Sequence, residues 1–534
     1  MNGRVRGLLV LPVAAGAAVG MTLAAQAAGV ARPGAARPVT LALSSASPAL
    51  ICPGPESLLA PSGGSTVTPT GPVTVSAAAL AGTGSAVQRA SLGALGSTAA
   101  FATVPLRAVP AGAVSADAPG GSATAVARRT LSGAGAVRLD VAPAPPDSDP
   151  ATPVATSALQ VAVSPSGDLR GLSALACPSV ANRTWLIGGG TAAGERTRLV
   201  LTNPTASAAL LDVVVHGRQG VVDAAAGEGL VVPAGRQVVQ FVDALAPDAG
   251  PIAIEVVART GRVAASLHHA RLNGFTPGGV DAVVAAAPPA RTQVVPGLDL
   301  APPGRGAVRV AVPGAREAVV RVELLDAAGS RTPGQAVMTV PAGAVRELPL
   351  VVSEDLPAGR YTAVVEADEP VVAGAIVTRT VAGGEIAGTP QSVGKTVPPG
   401  DLAWAAATQP VRGTVVLAAP PPGVSARLVL AVPAGAGEPP AVELTEVASS
   451  GTPGAPRSLT LRAGRQLEVP LGADLGAVIL RLTGGSSTVA VHGALTLEAS
   501  DPAGSMISAV PLRPGPSDPA APPSVVQDPR VGLD

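Results

Sequence analysis

Apolar and polar residues alternate with a period of two over much of the chain. Residues 319 to 324 read VVRVEL, and residues 346 to 350 read RELPL. Such alternation is typical of a strand with one buried face, and glycine or proline turn signals separate these strands about every 8 to 12 residues. No amphipathic helix of three turns follows the N-terminal segment. The pattern therefore predicts an all-β protein.

One turn-and-strand motif occurs three times at nearly even spacing. It reads VPAGRQVVQF from Val232, VPAGAVRELPL from Val340 and LRAGRQLEVPL from Leu461. The position of the first proline recurs after 108 and then 121 residues, and four further landmarks keep similar offsets. Units of this length built from short alternating strands are typical of immunoglobulin-like sandwiches. We therefore predict three such modules in tandem, preceded by an N-terminal β-rich domain.

These predictions divide the chain into six segments. The segments are a signal peptide or signal anchor at 1–27, the N-terminal β-rich domain at 38–180, immunoglobulin-like modules at 181–290, 291–400 and 401–512, and a disordered proline-rich tail at 513–534. In the second module, Tyr361 occupies the position of a tyrosine corner. An ordinary half-buried tyrosine is the alternative.

The N-terminus has the features of an export signal. Arg4 and Arg6 precede an apolar run from Gly7 to Ala25, and small residues follow it. The run approaches the length that spans a bilayer. A cleaved signal peptide and a retained signal anchor therefore both remain open, and the protein is expected to be secreted or otherwise extracytoplasmic. Any membrane attachment would run only through an uncleaved N-terminal segment.

The two cysteines lie in similar sequence contexts. Cys52 and Cys177 each precede a proline. An even number of cysteines in an exported protein favours a disulfide. We predict a bond between the two, which closes a loop of about 125 residues.

Charge and aromatic content exclude one large class of partners. The chain has 36 basic and 36 acidic residues, and only 1% of its residues are aromatic. Nucleic-acid binding normally requires a basic surface, often with aromatic side chains for base stacking. We therefore expect no nucleic-acid partner.

The search for catalytic, cofactor or metal motifs gives none. The four histidines are His216, His268, His269 and His492. Because His268 and His269 are adjacent on a predicted strand, they should point to opposite faces and cannot easily share one metal. The sequence contains no nucleophile elbow, zinc-binding His-Glu-x-x-His or phosphate-binding loop. We therefore predict no catalytic residue, no cofactor and no metal site.

Two tryptophan-containing junctions are the candidate binding positions. The first carries Trp185 and the glycines Gly188, Gly189 and Gly190, in a stretch predicted to be a loop that enters the first module. The second carries Trp404. Binding residues often lie in loops that a rigid sandwich holds in place. Exposure of two aromatic residues on one face would favour glycan binding by stacking.

Taken together, the export signal, the paired Cys-Pro sites, the segment from Trp185 into RLVLTNPT and the VPAG turn at Val232 resemble an actinobacterial family known as domain of unknown function 5719. The resemblance implies a secreted or membrane-tethered envelope protein. It supplies no catalytic residues.

Three function classes follow from these observations. The first is a non-catalytic structural or interaction scaffold of the cell envelope, whose partner would be another envelope protein or a cell-wall glycan. The second is a carbohydrate-binding protein of the wall. The third is a hydrolase, which would require carboxylates from separate modules to converge in one cleft.

Overall fold

The computed structural model describes most of the chain beyond residue 48. The described ranges are 49–55, 71–80, 90–95, 124–132, 135–141, 155–300, 305–379, 399–435, 437–486 and 489–514, with short strands at 38–40, 57–58, 68–69, 104–105, 107–108 and 524–526. The predicted signal segment and most of the predicted tail lie outside them. The described part of the chain divides into two units, and in the smaller one β1 (Pro38–Thr40) pairs with Ser524–Val526. Residues 45–518 form the other.

The larger unit contains four groups of strands, which we call copies 1 to 4. Copy 1 comprises β2 (Leu50–Cys52), β3 (Ser57–Leu58), β4 (Thr68–Pro69), β5 (Val73–Leu80), β6 (Ala90–Ala94), β7 (Val104–Pro105), β8 (Arg107–Ala108), β9 (Thr124–Leu131), β10 (Val137–Val141), β11 (Ala155–Ser164) and β12 (Gly171–Ala176). Copy 2 comprises β13 (Arg183–Gly190), β14 (Glu195–Asn203), β15 (Ala209–Gly217), β16 (Gly220–Val222), β17 (Leu230–Val232), β18 (Arg236–Phe241), β19 (Pro251–Thr260), β20 (Ala264–Asn273) and β21 (Thr276–Val283), with a 3-10 helix at Ala225–Gly227 and a short helix α1 at Val242–Leu245. Copy 3 comprises β22 (Ala290–Leu300), β23 (Arg305–Ala311), β24 (Ala318–Leu325), β25 (Ser330–Arg331), β26 (Val337–Val340), β27 (Val345–Val351), β28 (Gly359–Arg379) and β29 (Asp401–Ala406). Copy 4 comprises β30 (Thr414–Ala418), β31 (Ser425–Val432), β32 (Ala441–Ala448), β33 (Arg457–Leu459), β34 (Arg465–Pro470), β35 (Leu475–Thr483), β36 (His492–Asp501) and β37 (Gly504–Pro511).

All four copies share one strand order, and all pairings are antiparallel. The strands that the copies have in common are ordered β2-β10-β6-β7 and β9-β5-β11-β12 in copy 1, β13-β19-β15-β17 and β18-β14-β20-β21 in copy 2, and β30-β35-β32-β33 and β34-β31-β36-β37 in copy 4. In addition, β8 pairs with β9 in copy 1 and β16 pairs with β15 in copy 2. Copy 3 follows the same order, because β28 is long enough to run through both of its sheets. The all-β prediction is confirmed. If β30 to β37 of copy 4 are lettered A to H, the B–E pairing (β31 with β34) and the C–F pairing (β32 with β35) are those of an immunoglobulin sandwich, but the edge strands pair differently.

The N-terminal β-rich region has the same strand order as the three repeats. The sequence did not indicate this, because the spans from β2 to β5, from β7 to β9 and from β10 to β11 are longer than their counterparts in the repeats. A second difference concerns Asp401–Ala406. The sequence assigned this strand to the third module, whereas it pairs with residues 374–379 of copy 3. The predicted module boundaries otherwise stay predictions.

The repeated turn motif moves the chain from one sheet of a sandwich to the other. In copy 2 it joins β17, which pairs with β15, to β18, which pairs with β14. The corresponding turns join β26 to β27 and β33 to β34. The glycines of the three turns have φ values of +64°, +70° and +72°, a left-handed conformation that side chains disfavour; they are Gly235, Gly343 and Gly464. The motif recurs because each sandwich needs the same crossing.

The four copies share their cores in a closed cycle. We call the last strand of each copy, namely β12, β21, β29 and β37, its closing strand. The four closing strands contact one another in the order β12, β21, β29, β37 and back to β12. One face of each packs in its own copy, and the other face packs in the core of another copy. The shared residues are Leu172 and Ala174 in the core of copy 4, Ala282 and Val284 in copy 1, Leu402 and Trp404 in copy 2, and Ile507 and Ala509 in copy 3.

Asp281 is a fully buried aspartate on the closing strand β21, and its hydrogen bonds connect β21 to the other three closing strands. Its carboxylate accepts the backbone N–H of Ala174 at 3.2 Å, the backbone N–H of Trp404 at 2.8 Å and the hydroxyl of Ser508 at 2.8 Å. Burial raises the pKa of Asp281 well above its usual value, although these hydrogen bonds act against that rise.

Asp401, on β29, connects the same four strands at a second position. It accepts backbone N–H groups from Leu172 at 3.2 Å, Val280 at 3.4 Å and Ile507 at 2.7 Å. Among the described strands each closing strand lies at an edge of its sheet. The carboxylates therefore satisfy edge N–H groups that would otherwise be buried without a partner.

The disulfide joins the first and last strands of copy 1. Cys52 ends β2, Cys177 follows β12, and their sulfur atoms are 2.00 Å apart. Closing a loop of this length stabilises a fold by roughly 4 to 5 kcal/mol in the chain-entropy model. In copy 3, the Tyr361 hydroxyl donates to the carbonyl of Pro357 at 2.6 Å. That bond to a residue just upstream favours the tyrosine-corner alternative.

Asp401 should make stability depend on pH. Burial raises its pKa from 3.8 to about 7. Between these values the folded chain holds a proton that the unfolded chain has released, so stability should fall as the pH rises and then level off above about pH 7. From about pH 5 to about pH 8 the loss should be on the order of 3 kcal/mol.

Urea unfolding of wild type and D401N at both pH values checks this expectation. Asparagine cannot titrate, so the stability of D401N should change less between the two pH values. Asp281 contributes equally to both chains and cancels in the comparison. Parallel pH dependences would show that Asp401 does not titrate in this range.

Candidate functional site

A polar cleft of about 480 Å³ opens between copies 2 and 3. Copy 2 supplies Glu195 from the start of β14 and Arg271 from the end of β20. Copy 3 supplies Arg309 from β23 and Glu347 from the neighbouring strand β27. The cleft combines charged side chains that lie on rigid strands of two different sandwiches.

Arg309 is the most constrained group in the cleft. Its side chain is 4% exposed and forms an ion pair with Glu347 at 2.7 Å. It also donates to the carbonyls of Gly189 and Ile252, and its guanidinium lies 4.6 Å from the centre of the Trp404 ring. Burial lowers the pKa of Arg309, and Glu347 counteracts that effect. These contacts fix a positive charge where copy 2 meets copy 3.

Glu195 holds the opposite wall of the cleft. Its carboxylate pairs with Arg271 at 2.7 Å and lies 3.9 Å from Nε2 of the fully buried His269. Trp404 donates its indole N–H to Nδ1 of His269 at 3.1 Å. Since Nδ1 accepts, the neutral ring carries its proton on Nε2, which faces Glu195. Burial, together with Arg271 and Arg309, lowers the pKa of His269 well below its usual value, so the ring is neutral.

The glycine run Gly188–Gly190 lies directly beneath these groups. The sequence predicted a loop here, but the residues end strand β13. They are glycines because a Cβ at these positions would be too close to neighbouring atoms. A Cβ at Gly190 would lie 1.8 Å from the Glu195 carboxylate, and one at Gly188 would lie 3.1 Å from the Trp404 ring. The structure thus brings the three glycines and Trp404 together under the cleft.

Trp185 does not join this site. It packs with Ile187 against copy 3, on the face of β13 opposite to Leu186, which shares a core with Trp404. Trp185 is 5% exposed and Trp404 is 2% exposed. Neither ring is therefore available as a stacking surface for a sugar, because the interface between copies covers them both.

The histidines have a packing role in the protein interior. All four are buried. Nδ1 of His216 lies 2.9 Å from the carbonyl of Gly343, and burial lowers its pKa. Burial likewise lowers the pKa of His492 to about 4. His269 contacts Trp404, whereas His268 lines a separate small recess beside copy 1. Among the described residues no three metal-ligating side chains are grouped so as to hold a metal ion.

The charged residues of the cleft were not found from the sequence. Arg309 replaces the valine that the other two sequence repeats have at the corresponding strand position, namely Val200 and Val429. This replacement of a valine by an arginine could have identified the position from the sequence. It indicates a buried charge, however, only once it is known that copy 2 covers the outer face of β23.

The Arg309–Glu347 ion pair should contribute more to the stability of the fold than a fully exposed ion pair does. Removing one partner of a buried ion pair typically costs about 3 to 5 kcal/mol, against less than about 1 kcal/mol at the surface. Because the Glu347 side chain is 34% exposed and its charge stays partly solvated in R309M, we expect a loss between these limits, about 2 kcal/mol. R316M is the matched control, because Arg316 is 76% exposed in its pair with Glu369. Urea midpoints measure both, and equal losses would contradict the assigned role of Arg309.

Comparison with known proteins gives a family but no activity. No curated protein matches the chain. Among solved structures, a GH78 family rhamnosidase of Bacillus sp. GL1 matches with 10% identity over 63% of this chain and 55% of that protein, at a TM-score of 0.14. The chain thus spans about half the length of that enzyme.

In the described part of the chain, no helix has the length and apolar character to cross a membrane. Residues 144–472 match the model of a family of unknown function, and the chain therefore belongs to the DUF5719 family.

Proposed function

We propose that this protein is an extracytoplasmic, non-catalytic scaffold of the cell envelope. The observation that carries the proposal is the closed cycle of four sandwiches, in which each closing strand belongs to two cores. Such an arrangement holds the loops of four sandwiches in fixed relative positions. Rigid presentation of loops is a property expected of a binding scaffold.

The location rests on two further observations. The N-terminal segment has the charge and apolar pattern of an export signal. The Cys52–Cys177 disulfide is compatible with an oxidising compartment outside the cytoplasm.

The non-catalytic part of the proposal rests on how the acidic groups are used. Asp281 and Asp401 are fully buried and bond to the closing strands. In the cleft, Glu195 faces Arg271 and Glu347 faces Arg309. Glycoside hydrolysis needs one carboxylic acid and one carboxylate that flank the scissile bond. The pairing in the cleft supports binding rather than acid–base catalysis.

Fractionation of cells that produce the full chain tests the location. The protein should be found in the envelope or the medium with its disulfide formed, as reported by maleimide labelling before and after reduction. A membrane-impermeant cross-linker should join it to another envelope component. A chain lacking residues 1–27 is the control and should stay in the cytoplasm. A wild-type protein that is cytoplasmic and reduced would refute the proposed location.

Incubation of the purified protein with isolated cell wall tests the absence of catalysis. Neither wild type nor E195Q/E347Q should release reducing ends or wall fragments. Release by wild type that the double variant loses would establish a hydrolase.

A further inference from the structure

The cleft between copies 2 and 3 has a local excess of positive charge. Four arginines and two glutamates line its described part, although the whole chain has equal numbers of basic and acidic residues. Arg271 and Arg309 are paired with the two glutamates. The other two arginines, Arg218 and Arg305, are exposed at the cleft and account for the excess.

Neighbouring groups hold Arg309 and Glu195, which line the cleft, in fixed positions. Arg309 is fixed by Glu347, by two backbone carbonyls and by the Trp404 ring. Glu195 fills the space above Gly190 that any larger residue would occupy. Preorganised charges bind a ligand with a smaller entropy cost than flexible ones. Arg309 and Glu195 therefore form a fixed inner wall, and the exposed side chains of Arg218 and Arg305 line the same cleft.

The lining also matches the chemistry of a specific ligand class. Guanidinium groups bind phosphate and carboxylate through paired N–H donors. Carboxylate, amide and hydroxyl groups from Glu195, Asn273 and Thr378 can accept or exchange hydrogen bonds with ligand hydroxyls. A volume of about 480 Å³ lies within the range of small-molecule sites.

We propose that this cleft binds an acidic sugar, that is, a hydroxyl-rich ring bearing a phosphate or a carboxylate, with Arg218 and Arg305 contacting the acid group. Arg271 and Arg309, held by their glutamates, shape the inner wall, and the paired glutamates receive the hydroxyls. The inference deepens the scaffold function proposed above and rests on it, because an acidic wall polymer would give an envelope scaffold its ligand.

Isothermal titration of the purified full chain tests this inference. The probes are glucose 6-phosphate and glucuronate, with glucose as the neutral control and inorganic phosphate as the ring-free control. At least one acidic sugar should bind, more weakly as salt is added, and glucose should not. Comparison of the two acidic sugars identifies the preferred acid group.

The variant R218Q/R305Q should weaken acidic-sugar binding by about tenfold or more, since charge-assisted hydrogen bonds are lost. R321Q is the matched control, because Arg321 is exposed on β24 and does not line the cleft. Thermal unfolding verifies that both variants are folded. Binding that survives in R218Q/R305Q, or falls equally in R321Q, overturns the site.

Two other outcomes also overturn the inference. One is the absence of binding by both acidic sugars. The other is inorganic phosphate binding as tightly as glucose 6-phosphate, which would leave no role for the ring. The titration uses purified protein, so its outcome does not depend on the outcome of the fractionation experiment. A cytoplasmic protein that binds an acidic sugar would refute the scaffold's location and leave the cleft assignment intact.

Discussion

Two buried carboxylates hold together the strands through which the four sandwiches share their cores. Asp281 and Asp401 lie on closing strands of different copies, and between them they accept N–H groups from all four closing strands. An unpaired strand edge buried in a protein interior is costly unless its N–H groups find acceptors. The cycle of shared cores therefore depends on these two residues, and the clefts between copies depend in turn on the cycle.

Much of the architecture could be predicted from local patterns. Period-two alternation gave the strands, and the VPAG motif located a sheet-to-sheet crossing that the structure repeats in copies 2, 3 and 4. The sharing of the closing strands between two copies could not be recognised, because it makes both of their faces apolar. Asp401–Ala406 consequently looked like the start of the third module, although it completes copy 3.

The candidate site was predictable only in part. The glycines Gly188–Gly190 and Trp404 were selected for their composition, and the structure places them together beneath the cleft. Their surroundings come from segments more than 100 residues apart, since Arg309 bonds to Gly189 across the boundary between copies. Sequence alone gave no indication that the tryptophans are covered. The binding surface that we propose therefore consists of arginines instead of aromatic rings.

Because the shared cores join the four copies, we expect them to unfold as one cooperative unit, and native-state hydrogen exchange tests this expectation most directly. The amides that donate to the two aspartates belong to Leu172, Ala174, Val280, Trp404 and Ile507, which lie on all four closing strands. The account predicts that these amides exchange only through global unfolding, with one common free energy. Distinct free energies for the separate copies would show that each sandwich opens alone and that the closed cycle does not control stability.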